Sequence, residues 1–176
     1  MTGETLRQTI IEITEMTFET LAFIFAVPAP EHAGEICGQA HADLLRVRVH
    51  FDGPVAGALV LSMPQSMLPD LAENMLGMMD KRTTVEQRRD AACELCNVIC
   101  GNLLPALAGP TPVFSVSPPE LCDDDPPAPD SATTVSARVW LDPGWVEVRF
   151  TVSDGLELLE AISRSAEERS DLESVA

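Results

Sequence analysis

From Thr84 to about Leu107 the sequence keeps a helical period in which polar residues are confined to one side. At roughly 100° per residue, Asp90, Glu94, Asn97 and Gly101 fall on one narrow stripe. Ala92, Leu95, Ile99 and Leu103 fall opposite it and are expected to face a core. Thr84 is placed to cap the helix, with Gln87 where the reciprocal partner of a capping box belongs. Pro105 is expected to break or kink the helix, and Gly109-Pro110 to end it. A helix this long with one apolar side needs a broad surface to lie on. Asn is also a poor helix-interior residue, because its amide competes with the backbone for hydrogen bonds. On periodicity alone, the stripe reads as an ordinary solvated face.

The rest of the chain supplies that surface. Leu6 to about Ala26 reads as a helix ended by Pro28 and Pro30, with Leu6, Ile10, Ile13, Leu21 and Ile24 apolar. Glu31 to His41 reads as loop or irregular strand. Leu44–Phe51 alternates as a strand, with Leu45, Val47 and Val49 on one face, and Val55–Met63 reads as a second strand paired with it across Asp52-Gly53-Pro54, a hairpin. A helix is expected from about Ser66 to Met79, with Pro69 in its first turn. Val113 to Ser117 reads as a short strand, and Cys122 to Asp130 as an acidic, proline-rich loop. Ala132–Leu141 and Trp145–Val152 form a second hairpin, whose Trp140 and Trp145 are expected to stack. The class is α+β, with long helices packed on one face of a mostly antiparallel sheet.

Charge and cysteine content narrow the function. The net charge is −17, from 28 acidic against 11 basic residues. That argues against nucleic acid and against anionic membrane surfaces, both of which need basic patches. No apolar run reads as a bilayer span, and the first residues lack the basic start of a signal peptide; a cytoplasmic location is the expectation. Five cysteines, an odd number, fit a reducing compartment. Cys93, Cys96 and Cys100 share a helix flank, with Cys37 or Cys122 as the only fourth ligands on offer. Core packing is the preferred reading, and no metal site is expected.

Asp90-x-x-x-Glu94-x-x-Asn97, followed by Pro118 or Pro119, resembles the active-site signature of the CheC/CheX/FliY family. Gly101-Asn102 resembles that family's usual continuation, and the order of elements is similar across roughly residues 5 to 152. The family's members are chemotaxis phosphatases acting on the response regulator CheY. CheC-like members carry two Glu-x-x-Asn motifs. Here the first helix has only Glu12-x-x-Glu15, Glu15-x-x-Phe18 and Glu19-x-x-Ala22, none with Asn, so one site is expected and CheX is the nearer likeness.

The resemblance implies a phosphatase domain over residues 1–154 and a partly helical or disordered tail over 155–176. It implies Asn97 as the residue that positions water and Glu94 as the acid that engages the receiver's lysine. Asp90, Gly101, Pro118 and Pro119 would support them. The partner would be a phosphorylated CheY-like receiver domain carrying its own Mg²⁺, with no cofactor on this chain, and a homodimer is the expected assembly. The chemistry is consistent with those roles. Hydrolysis of an acyl phosphate needs positioning and charge neutralisation, and a neutral carboxamide can orient water without repelling phosphate. A non-catalytic adaptor that binds receiver domains is the alternative.

Overall fold

The computed structural model describes residues 3–31, 43–78, 82–123, 132–142, 144–155 and 157. Its elements run in the order α1 (Gly3–Ala22), β1 (Leu44–Asp52), β2 (Ala56–Pro64), a 3₁₀ turn (Gln65–Met67), α2 (Leu68–Leu76), α3 (Val85–Ala108), β3 (Ser115–Val116), β4 (Glu120–Leu121), β5 (Thr133–Leu141) and β6 (Gly144–Asp154). The strands form one antiparallel sheet in the order β3-β1-β2-β6-β5, with β4 beside β3 on the same edge of β1. The expected α+β architecture is the one observed. The readings of residues 32–41, of 124–130 and of 158–176 lie outside the described residues.

Strand alternation sorts the sheet into two faces. Val47, Val49 and Phe51 of β1 point to the core with Leu59 and Leu61 of β2 and Val146, Val148 and Phe150 of β6. The rings of Phe51 and Phe150 stack there, 5.0 Å apart. Arg46, Arg48 and His50 alternate to the other face, opposite Ser62, Val60 and Ala58. The helices cover the apolar face: α1 lies on β5, and α3 lies on β1 and β2 between α1 and α2. Each buried apolar side chain of this layer contributes about 1.5–3 kcal/mol.

Several local expectations change. The first helix stops at Ala22, four residues short of Ala26 and before either proline. Phe23 turns left-handed, at φ 53°, and Ile24 N–H donates to the Phe18 carbonyl, closing the helix end as a glycine usually does. The next residues join β5: Val27 N–H donates to Trp140 O at 2.9 Å, and Asp142 N–H to Phe25 O at 3.2 Å. Strand pairing thus takes the residues that helical periodicity assigned to α1. The buried face of α1 includes Thr14 and Thr17, whose hydroxyls donate to the carbonyls of Ile10 and Ile13. That back-bonding lets polar residues sit in a core stripe.

A bulky residue at positive φ costs about 1–2 kcal/mol, and Phe23 is 69% exposed, so little burial offsets the strain. Phe23→Gly is therefore expected to raise stability by about 1 kcal/mol in urea unfolding. A loss of stability would show that the ring makes contacts worth more than its backbone strain.

The second helix begins as the 3₁₀ turn and ends at Leu76, capped by left-handed Gly77; Met79 lies outside the described residues. Pro105 does not end α3, which continues to Ala108. It removes only the bond to the Gly101 carbonyl, and both residues face solvent, where water can serve that oxygen. The strand expected over 113–117 is confined to Ser115–Val116, and β4 at Glu120–Leu121 is unanticipated. Trp140 and Trp145 are cross-strand partners; the group over the Trp145 ring is the Arg138 guanidinium, 5.0 Å from its centroid.

Candidate functional site

The site is built on α3, which is capped at its start and packed along one side. Thr84 and Gln87 form the complete capping box: Thr84 Oγ1 accepts from Gln87 N–H, and Gln87 Oε1 accepts from Thr84 N–H at 2.8 Å. Ala92, Leu95, Ile99 and Leu103 are all completely buried. Their burial fixes the rotation of the helix about its axis, which aims the opposite stripe outward. By length and apolarity α3 could pass for a membrane span, contrary to the reading of the sequence. Its apolar side is used by the sheet and the flanking helices.

Asp90, Glu94 and Gly101 are exposed on that stripe, and Asn97 is half-buried among them. Neither Glu94 nor Asn97 makes a side-chain hydrogen bond or ion pair among the described residues, so both groups are free for a partner molecule. A Cβ on Gly101 would meet nothing within 4 Å, so this part of the stripe is flat and open. The structure thus brings Asp90, Glu94, Asn97 and Gly101 together on one accessible surface.

Pro118 and Pro119 lie between β3 and β4, Pro118 exposed and Pro119 half-buried. The segment is stitched to β1 by groups that the sequence did not single out. Ser117 N–H donates to His50 O at 2.8 Å, and His50 N–H donates to Ser117 Oγ at 2.9 Å. Cys122 N–H donates to Arg46 O at 3.0 Å. Arg48 Nε donates to Glu120 Oε1 at 2.8 Å, with Nη2 on the same oxygen. The Arg48 guanidinium, with a smaller contribution from His50, holds the Glu120 carboxyl below its ordinary range. β3 also touches α3, and the segment carrying the prolines follows β3 along the edge of β1. The outward alternation of Arg46, Arg48 and His50 was the only sequence signal for this stitching.

The cysteines of α3 divide between core and surface. Cys96 and Cys100 are buried and Cys93 is half-buried. Cys96 Sγ lies 3.6 Å from the Val47 carbonyl, helping to seat α3 on β1. Burial pushes the Cys100 thiol up to about 12 and that of Cys96 further still. A protonated, enclosed thiol is a poor nucleophile. Iodoacetamide at about pH 8 is accordingly expected to modify Cys93 and Cys122 in the native protein while sparing Cys96 and Cys100. Mass spectrometry of the alkylated chain checks this; rapid labelling of Cys96 would contradict the seating of α3 on β1.

A family model described as "Chemotaxis phosphatase CheX" matches residues 45–137, which span β1 to β5 and include the whole stripe. The chain belongs to the CheX family. Among solved structures it is similar to a chemotaxis protein CheX from Desulfovibrio desulfuricans, at 17% identity and a TM-score of 0.64, covering 85% of this chain and 99% of that one. CheX from Vibrio vulnificus is similar at 13% identity and a TM-score of 0.63, over 87% and 99%. A third is CheX in a complex with CheY, BeF₃ and Mg²⁺ from Borrelia burgdorferi, at 13% identity and a TM-score of 0.58, over 84% and 97%. These identities establish a shared fold. No curated protein sequence matches the chain.

Proposed function

We propose that this protein is a phosphatase that hydrolyses the aspartyl phosphate of a CheY-like receiver domain. The observation that carries the reading is the placement of Glu94 and Asn97: both lie on one open stripe of a rigidly seated helix, with polar groups that no described residue engages. Membership of the CheX family supports it, as does the existence of a CheX–CheY complex from another organism.

In this reading the receiver supplies the phosphoryl group, its Mg²⁺ and a lysine, and the stripe docks over its pocket. The Glu94 carboxylate pairs with the lysine and fixes the approach. The Asn97 amide then holds a water in line with the leaving aspartate carboxylate. Water attacks phosphorus, the P–O bond to the aspartate breaks, and inorganic phosphate leaves. Positioning of this kind is the main contribution a protein makes to phosphoryl transfer. Asp90 and Gly101 shape the stripe, and Pro118 and Pro119 border it.

The test is the decay of phosphorylated receiver domains with and without the protein, with Asn97→Ala alongside. Acceleration that depends on Asn97 supports the phosphatase. Binding of a receiver with no change in its phosphate lifetime would replace it with the adaptor.

A further inference from the structure

The outer face of the sheet, turned away from the helices, departs from an ordinary solvated face. An antiparallel sheet with one wet side alternates, apolar toward the core and polar toward water, and β1 does so from Val47 onward. β2 does not: Leu59 to Met63 are buried in succession, with outward-pointing Val60 only 4% and Ser62 only 8% exposed. In the strand register Val60 lies between Arg48 of β1 and Arg149 of β6, and Ser62 between Arg46 and Glu147. Arg138 of β5 stands opposite Glu147. Across these rows four guanidiniums and His50 share two carboxylates among the described residues: Glu120 serves Arg48 and His50, and Glu147 serves Arg138 and Arg149. Arg46 donates instead to the Asp123 backbone carbonyl, at 3.2 Å. Cations in excess on one face attract anionic groups.

The chain carries such groups where they can reach. Asp123 stands at the β1 edge beside Arg46, and Ala132 leads into β5 at the opposite edge. Asp124-Asp125-Pro126-Pro127-Ala128-Pro129-Asp130-Ser131 joins the two. Four strand spacings separate the edges, about 19 Å. Thr133 aligns through Val152 and Gly57 with Phe51, five residues along β1 from Arg46. The direct path across the outer face is therefore about 25 Å. Nine residue steps of extended, proline-rich chain cover about 28 Å at about 3.1 Å each, and about 32 Å at most. A path over the helices must climb and descend a layer about 10 Å thick, and a path round the strand ends is about 36 Å. Both exceed the reach of the chain. The diagonal over the outer face does not, and it runs from Arg46 and Arg48 across Val60 toward Thr134.

We propose that the outer face of the sheet is the docking site of residues 124–131 of this same chain, held by Asp124 and Asp125 against Arg46 and Arg48, with Pro126 and Pro127 over Val60. The contact neutralises the surplus cations and covers the apolar centre of the face, which closes it to acidic partners. It does not depend on the phosphatase reading, because the motif stripe lies on the helical side of the sheet.

The test uses the full chain with the photo-crosslinking amino acid p-benzoylphenylalanine in place of Ala128. Irradiation is expected to join it to outward residues of β2 or β6, within Val60–Ser62 or Glu147–Thr151, as located by tandem mass spectrometry. Adding Asp124→Asn and Asp125→Asn should lower the yield of these products about threefold, and so should about 1 M salt without those substitutions. Circular dichroism of each variant checks that the fold is retained. Crosslinks to α1, to α3, to residues 158–176 or to a second copy of the chain overturn the docking, as does the absence of any crosslink. Outer-face yields indifferent to both the double substitution and salt overturn the charge pairing on which the proposal rests.

Discussion

Asn97→Ala is expected to abolish acceleration of receiver dephosphorylation, with a loss of at least about 100-fold, while the fold is retained. The magnitude follows from what positioning contributes: misplacing a reacting group by about 1 Å already costs roughly 10²-fold. Removing the amide removes the only group proposed to hold the water. Asn97 is half-buried and makes no described side-chain hydrogen bond, so truncation leaves no orphaned partner in the core. Ala is also the better helix former, and the thermal midpoint should be unchanged or slightly raised. The pairing of those two results is what carries weight: lost activity together with lost stability would only show that α3 had been disturbed. Glu94→Gln keeps the shape of the side chain and removes its charge. It should raise KM for the receiver more than it lowers kcat, because in the proposed mechanism Glu94 fixes the approach.

Gly57→Ala is expected to cost about 3 kcal/mol or more, the upper part of the range for overpacking, although it adds a single methyl group. A Cβ built at Gly57 would lie 2.0 Å from the Thr151 carbonyl oxygen and 2.7 Å from the Phe51 ring. The first is backbone of the neighbouring strand, so the collision is relieved only by parting β2 from β6. That would disturb the Phe51–Phe150 stack beneath it. The β2–β6 register already shifts between Ala56 and Gly57, as happens where a glycine permits close backbone approach. Urea unfolding checks the value. A cost below about 0.5 kcal/mol, the ordinary range for a surface substitution, would mean that the strands are not in this register.

The sequence by itself determined the elements whose signals are local and periodic. The apolar repeat of α3, its capping box, the alternation of β1 and the pairing of the two hairpins depend on residues close together in the chain, and all reappear in the structure. The stripe of Asp90, Glu94, Asn97 and Gly101 was legible for the same reason, since helical geometry alone aligns them. Its link to a family came from the type and spacing of those residues, because periodicity could not distinguish a site from a solvated face.

Tertiary structure decided whatever depended on a distant partner. α1 ends at Ala22 because Phe25 to Val27 reach backbone groups of Trp140 and Asp142, more than a hundred residues on. The helix continues through Pro105 because the freed Gly101 carbonyl faces water, which sequence spacing does not reveal. β4 exists because the edge of β1 offers Arg46 and Arg48 to Cys122 and Glu120. Nothing within residues 118–122 marks it as a strand. The placing of Arg46 and Arg48 on the face away from the helices, and of Asp90 and Glu94 on the outer side of α3, was equally hidden in a net value of −17. Composition counts charges, and only the pairing of strands and the packing of helices assigns each one to a side.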